Sequence, residues 1–167
     1  TAAHVTISSW RRMEVNTIPA RGKISGAYAS SALIKTDAAR AGFDEALVLN
    51  QDGHLAEGSA MNIFMVRDGV LVTPPITDNI LEGITRRSVM ELAKKELGLT
   101  VVERPIDRSE IYICEEFFLT GTAAQITVSS QRTSTVANAE ITIEMKLARI
   151  IPSGRIVPAK IRIEAVT

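Results

Sequence analysis

Three strand-like blocks between residues 45 and 74, separated only by turn residues, constrain this chain more than any other feature. The blocks are EALVLN (45–50), HLAEGSAMNIFMVR (54–67) and VLVTP (70–74). Gln51-Asp52-Gly53 separates the first two, and Asp68-Gly69 the last two. Asp-Gly is a strong hairpin signal, because Gly enters positive φ without a steric penalty. Helical stretches flank these blocks. Residues 25–41 are Ala-rich and suit a helix that stops at Gly42. Residues 84–97 (ITRRSVMELAKKEL) place Val89, Leu92, Ala93 and Leu97 on one stripe, with Gly98 as the stop.

The remaining segments are shorter. Residues 5–10 (VTISSW) alternate like a strand, and strands are expected at 99–104 and 116–120. A polar turn or short helix is expected near 107–112, and Thr120 to Ala124 reads as a loop or a helix start. Residues 141–150 suit either helix or strand, and the tail with Pro152 and Pro158 gets no assignment. Hairpins mixed with single helices indicate an α+β domain, or a mixed sheet with peripheral helices.

Composition narrows the function classes. A chain of 167 residues is about one domain and can bury a core. Nineteen basic residues balance nineteen acidic ones, so no nucleic-acid partner is expected. No apolar run reaches the roughly 18 residues that span a bilayer, so no membrane partner is expected. The N-terminus (TAAHVTISSWRR) has no signal-peptide pattern, and the single Cys114 suits a reducing, cytoplasmic setting. The first residue is Thr1 rather than Met, and the chain reads as the remainder of something longer.

Three features can carry chemistry. Lys23 sits among small residues just before a helix, where a lysine can lose its proton and act as a nucleophile; a solvated lysine is the ordinary alternative. Glu57-Gly58-Ser59-Ala60 interrupts a strand-rich stretch. A carboxylate there can pair with a cationic ring nitrogen, or merely mark a bulge. Gly83-Ile84-Thr85 opens a helix and Gly121-Thr122-Ala123 opens a turn, so backbone N–H groups and a threonine hydroxyl can meet an anion at each; simple capping is the alternative. Two distant histidines and one cysteine make no metal site, and Cys114 and Trp10 read as packing residues.

Taken in order, Lys23-Ile-Ser-Gly-Ala-Tyr28, Asp44-Glu-Ala-Leu47, Glu57-Gly-Ser-Ala-Met-Asn62-Ile-Phe64, Val70-Leu-Val-Thr-Pro-Pro75, Leu81-Glu-Gly-Ile-Thr-Arg86 and Thr120-Gly-Thr-Ala-Ala124 resemble the class IV aminotransferases. These are pyridoxal 5'-phosphate enzymes of the D-amino acid transaminase-like fold, and the blocks look most like the branched-chain branch. The resemblance covers about residues 7–128. It implies a mixed, largely antiparallel sheet or pseudo-barrel with peripheral helices. It also implies transamination between branched-chain L-amino acids and 2-oxoglutarate, in a homodimer or higher oligomer. D-amino acid transaminase and aminodeoxychorismate lyase share the fold and stand as alternatives.

The resemblance assigns roles residue by residue. Lys23 matches the lysine that bonds to the cofactor and, once freed, shuttles the substrate proton. Glu57 matches the carboxylate that keeps the pyridine nitrogen protonated. Tyr28 matches the hydrogen-bond donor to the phenolic oxygen, and Leu81 an apolar contact to the ring. Ile84, Thr85 and Thr122 match phosphate contacts, and Ala123 a backbone N–H facing the substrate carboxylate.

Two departures qualify these expectations. The family's smaller N-terminal domain, with its phosphate-binding arginine, has no counterpart here, so residues 1–167 are expected to be the large, cofactor-binding domain alone. Residues 129–167 depart from the family pattern as a divergent tail, and Met61 replaces the acidic residue common before Asn62. A catalytically incompetent fragment is therefore the alternative outside enzymology.

Overall fold

The computed structural model describes residues 3–122, 125–131, 140–144 and 162–166. A strand β1 (Ala3–Arg11), a helix α1 (Ala27–Arg40) and a strand β2 (Glu45–Leu49) form a parallel crossover unit. Strands β3 (Leu55–Gly58), β4 (Asn62–Arg67) and β5 (Val70–Thr73) follow, then helix α2 (Ile84–Leu97) and strand β6 (Val101–Glu103). Strands β7 (Glu116–Gly121) and β8 (Gln125–Gln131) complete one eight-stranded sheet. Its order is β3-β2-β1-β8-β7-β4-β5-β6, open between β3 and β6. Pairings of β1 with β2, β1 with β8 and β5 with β6 are parallel, and the other four are antiparallel. The sheet is therefore mixed and largely antiparallel, with one helix near each end. Strands β9 (Glu140–Glu144) and β10 (Arg162–Val166) pair antiparallel with each other.

The period of two along each strand sorts its side chains. Leu47 and Leu49 of β2 join Ile63 and Met65 of β4 and Leu119 of β7 in the main core. On the opposite face, Ala46 and Val48 receive Ile34 and Ala38 of α1. Phe64 and Leu71 receive Val89 and Ala93 of α2, and Phe64 stacks on Phe118 with ring centroids 5.2 Å apart. Each such large apolar side chain contributes roughly 1.5–3 kcal/mol on burial. Cys114 lies in the main core, as expected of a packing residue. Trp10 instead is half-exposed, and its indole N–H donates to Asp37 Oδ2 at 2.7 Å.

Both turn signals form. Gly53 takes φ 90°, and Asp68 and Gly69 take 51° and 72°, which is the paired positive φ of a two-residue hairpin. Helix 84–97 has the expected bounds, but Leu97 is 40% exposed and not part of the buried stripe. It ends the last turn of the helix, where no element among the described residues buries it.

The largest difference concerns residues 54–67, which are two strands and not one. Gly58 N–H donates to the Met61 carbonyl at 2.7 Å and closes a tight turn. A Cβ on Gly58 would meet Leu119 Cδ2 at 2.8 Å, so a larger residue there would have to move the buried Leu119 side chain. The chain leaves the side of β2 and re-enters beside β7, several strands away. Strand β8 also lies where the sequence patterning indicated no strand. Residues 145–150 and Ala123 and Ala124, expected as parts of a helix or strand and of a loop, lie outside the described residues.

Candidate active site

A cleft opens where β1, the segment before α1, the turn after β3 and the segment before α2 converge. Its lining includes Arg12, Lys23, Tyr28, Glu57, Asn62 and Leu81, together with the Ser59–Met61 turn. Four residues expected from sequence, Lys23, Tyr28, Glu57 and Leu81, thus meet at one place.

Lys23 caps the short 3-10 turn Ala20–Gly22 in the left-handed region, at φ 47° and ψ 41°. A residue bearing Cβ rarely sits there, and the conformation costs about 1 kcal/mol. Its backbone N–H donates to Ala20 O. Among the described residues no carboxylate pairs with its amine.

Glu57 is 3% exposed, and each of its oxygens has a partner. Arg12 Nη2 lies 2.6 Å from Oε1, and the Leu81 N–H donates to Oε2 at 3.1 Å. Burial pushes the Glu57 carboxyl from an ordinary 4.5 up to about 7, against the opposing pull of Arg12 and of the Leu81 N–H. Arg12 is itself fixed. Its Nε donates to Asn79 O at 3.0 Å, its backbone N–H donates to Leu49 O at 2.8 Å, and its carbonyl accepts from Gln51 Nε2 at 3.0 Å.

The cavity is joined to the start of α2 through Asn62. Its Nδ2 donates to Leu81 O at 2.8 Å. Its Oδ1 lies 2.2 Å from where a Cβ on Gly83 would stand, so any larger residue there must displace the Asn62 side chain. No side chain caps α2, and its first turn carries no acidic residue, which leaves the helix N-terminus available to an anion. Ile84 is 77% exposed and Thr85 half-buried in that first turn, and neither lines the cavity. Arg86 anchors the same turn from below, through Pro74 O at 2.9 Å and Glu103 Oε2 at 2.6 Å. Thr122 is exposed beyond the end of β7 and does not line the cavity either, and Ala123 lies outside the described residues.

Arg12 and Asn62 have no site role in the sequence reading. Nothing local marks Arg12 among the basic residues near it. Asn62 stands inside a recognisable block, but its use as a clamp on Leu81 depends on a segment that only the fold brings close. Among the described residues no group of three or more His, Cys, Asp or Glu side chains could hold a metal ion.

An uncommitted lysine and a buried, paired carboxylate thus line one cavity, beside a helix start that no side chain caps. The chain belongs to the class IV aminotransferase family, whose model matches residues 1–130. It is 55% identical over 121 residues to a probable branched-chain-amino-acid aminotransferase of Aquifex aeolicus, an overlap of 72% of this chain and 39% of that relative. The branched-chain amino acid aminotransferase of Thermobaculum terrenum in its PLP form superposes with a TM-score of 0.75 at 46% identity, over 77% of this chain and 42% of that one. The branched-chain aminotransferase of the thermophilic archaeon Thermoproteus uzoniensis, solved with norvaline, also gives 0.75, at 44% identity over 77% and 43%. The chain thus spans about 39% of the length of the curated relatives it matches. Among the described residues no helix is long and apolar enough to cross a membrane.

Proposed function

We propose that this chain is the cofactor-binding domain of a pyridoxal-phosphate aminotransferase that moves amino groups between branched-chain L-amino acids and 2-oxoglutarate. One observation carries the reading: the amine-bearing Lys23 and the buried Glu57 line a single cavity. The residues suit the cofactor's three functional parts. Lys23 offers an amine for its aldehyde, Glu57 a carboxylate for its ring nitrogen, and the α2 N-terminus backbone donors for its phosphate.

Bound pyridoxal phosphate supplies an electron sink for the charge left when a bond at the substrate Cα is broken. Lys23 Nζ would hold the cofactor through its aldehyde carbon, and as a free amine it would carry the substrate Cα proton. Glu57, with its carboxylate oriented by Arg12, would hold the proton on the ring nitrogen, Tyr28 would donate to the phenolic oxygen, and Leu81 would pack against the ring. Ile84 and Thr85 at the α2 start and Thr122 after β7 would hold the phosphate from beside the cavity, and Ala123 would serve the substrate carboxylate. The names of the relatives support a branched-chain substrate, and the norvaline in one of them supports an aliphatic side chain.

The test is an absorbance spectrum of the purified chain with pyridoxal phosphate, followed by borohydride reduction and mass analysis of the Lys23 peptide. A visible band trapped on Lys23 is expected. Scattered labelling of surface lysines, or no band, would defeat the reading. Assays with L-leucine, D-alanine and aminodeoxychorismate then separate the branched-chain activity from its two relatives of the same fold, and cofactor uptake without turnover would mark an incompetent fragment.

A further inference from the structure

Glu45 does not line the cavity, yet it is only 3% exposed and is bonded on both sides. Its Oε1 accepts the N–H of Ala46 at 2.8 Å and of Ser59 at 3.2 Å. Its Oε2 pairs with Lys35 Nζ at 2.9 Å, and the same amine donates to the Asp44 carbonyl. Lys35 belongs to α1, the helix that follows Lys23 and brings Ala27, Tyr28 and Ser31 to the cavity wall. Ser59 begins the turn that follows Glu57 and lines the same cavity. One buried carboxylate therefore ties the Lys23 side of the site to the Glu57 side.

A buried carboxylate costs free energy and persists only where its bonds repay the lost hydration. An apolar residue at position 45 would fill the space but would leave the Ser59 N–H buried without this acceptor. The turn would then move to find other partners. Its closure, the bond from Gly58 N–H to Met61 O, does not involve Glu45 and would survive.

We propose that Glu45 is a positioning residue that holds the Ser59–Met61 turn against α1 and thereby sets how tightly the cavity takes pyridoxal phosphate. The proposal rests on the cofactor reading above. The bond to the buried Ser59 N–H does most of the positioning and depends on reach, while the ion pair to the half-exposed Lys35 amine contributes less. Glu45→Gln keeps an oxygen at the same distance. Glu45→Asp keeps the charge but falls one methylene short.

The experiment uses the full chain and three variants, Glu45→Gln, Glu45→Asp and Glu45→Ala. It reads amide hydrogen exchange at Ser59 and Gly58 by NMR, and pyridoxal phosphate affinity by the visible band. The expected pattern is protection of Ser59 in wild type and Glu45→Gln and its loss in Glu45→Asp and Glu45→Ala, with Gly58 protected throughout. Affinity should fall about tenfold in the Asp and Ala variants and stay within about threefold in Gln, the scale of a lost bond to a charged acceptor. If Glu45→Ala does not fold, the contrast between Gln and Asp still decides. An Asp variant that matches wild type, a Gln variant that fails with it, or lower melting temperatures with unchanged Ser59 exchange and affinity would overturn the proposal. A wild-type chain that takes up no pyridoxal phosphate overturns the cofactor reading as well. Failure of this inference alone looks different: wild type and Glu45→Ala then bind the cofactor equally.

Discussion

Replacing Glu57 with glutamine separates two opposing effects on one buried carboxyl. Burial raises its pKa and Arg12 lowers it, and burial wins, leaving the value at about 7. The folded state therefore binds more protons than the unfolded state between about pH 4.5 and 7, and wild-type stability falls as pH rises through that window. The difference spans about 2.5 pH units at roughly 1.4 kcal/mol each, or about 3 kcal/mol in all. Below about pH 4.5 Glu57 is protonated in both states and the contribution is fully present; above about pH 7 it is gone. Glu57→Gln keeps the shape and does not titrate. Asp78 and Glu116 are also raised by burial, but both proteins carry them and they cancel in the difference. Urea unfolding followed by circular dichroism at a series of pH values gives the two stabilities. The variant's stability minus that of wild type should climb by about 3 kcal/mol from about pH 4.5 to 7 and then level off. A flat difference would mean that Glu57 titrates alike in both states. A falling difference would mean that Arg12 outweighs burial and that the reasoning has the wrong sign. Carbon NMR of labelled Glu57 offers a direct check, and Arg12→Met should move its midpoint upward.

Three further outcomes are expected. Lys23→Gly should raise stability by about 1 kcal/mol by relieving the left-handed backbone, while abolishing borohydride trapping; urea unfolding and the peptide mass read the two effects. Gly83→Ala should displace Asn62 and cost roughly 1–2 kcal/mol together with cofactor affinity. A double variant with Asn62→Ala should then cost less than the two singles combined, as measured by a double-mutant cycle. Arg104 holds the Glu110 carboxyl below its ordinary range, so this pair contributes stability that is present above the ordinary pKa and lost as pH falls. Glu110→Gln should cost about 0.5–1 kcal/mol at neutral pH and progressively less in acid, by thermal unfolding across pH.

The local signals in this chain are unusually legible. Asp68-Gly69 specifies a two-residue hairpin because both positions must take positive φ, and they do. Helix 84–97 has the expected bounds, with Gly83 before it and Gly98 at φ 64° after it. Asp107 and Glu110 form a capping box on the expected short polar turn, Arg108–Tyr112. Residues 54–67 misled for a physical reason. Apolar residues continue on both sides of Gly58-Ser59-Ala60, and hydrophobic pattern alone does not say that the chain changes neighbours there. Leu97 misled because helical spacing continues to the helix end whether or not anything packs against it.

Lys23, Tyr28, Glu57 and Leu81 were identifiable because their short blocks are distinctive in composition and order, and the fold gathers all four around one cavity. Ile84 and Thr85 sit on the helix start that the sequence marked. Turns, helix bounds and these blocks are set by interactions over a few residues, and a sequence displays such interactions directly. The pairing of Arg12 with Glu57, the grip of Asn62 on Leu81 and the tie from Glu45 to Ser59 are of another kind. Each joins elements that become neighbours only when β3, β2 and β1 assemble at one end of the sheet and β4 docks beside β7. Those contacts shape the cavity, and the burial that outweighs Arg12 at Glu57 comes with them; tertiary structure alone decides both, because burial and charge pairing depend on which distant backbone arrives.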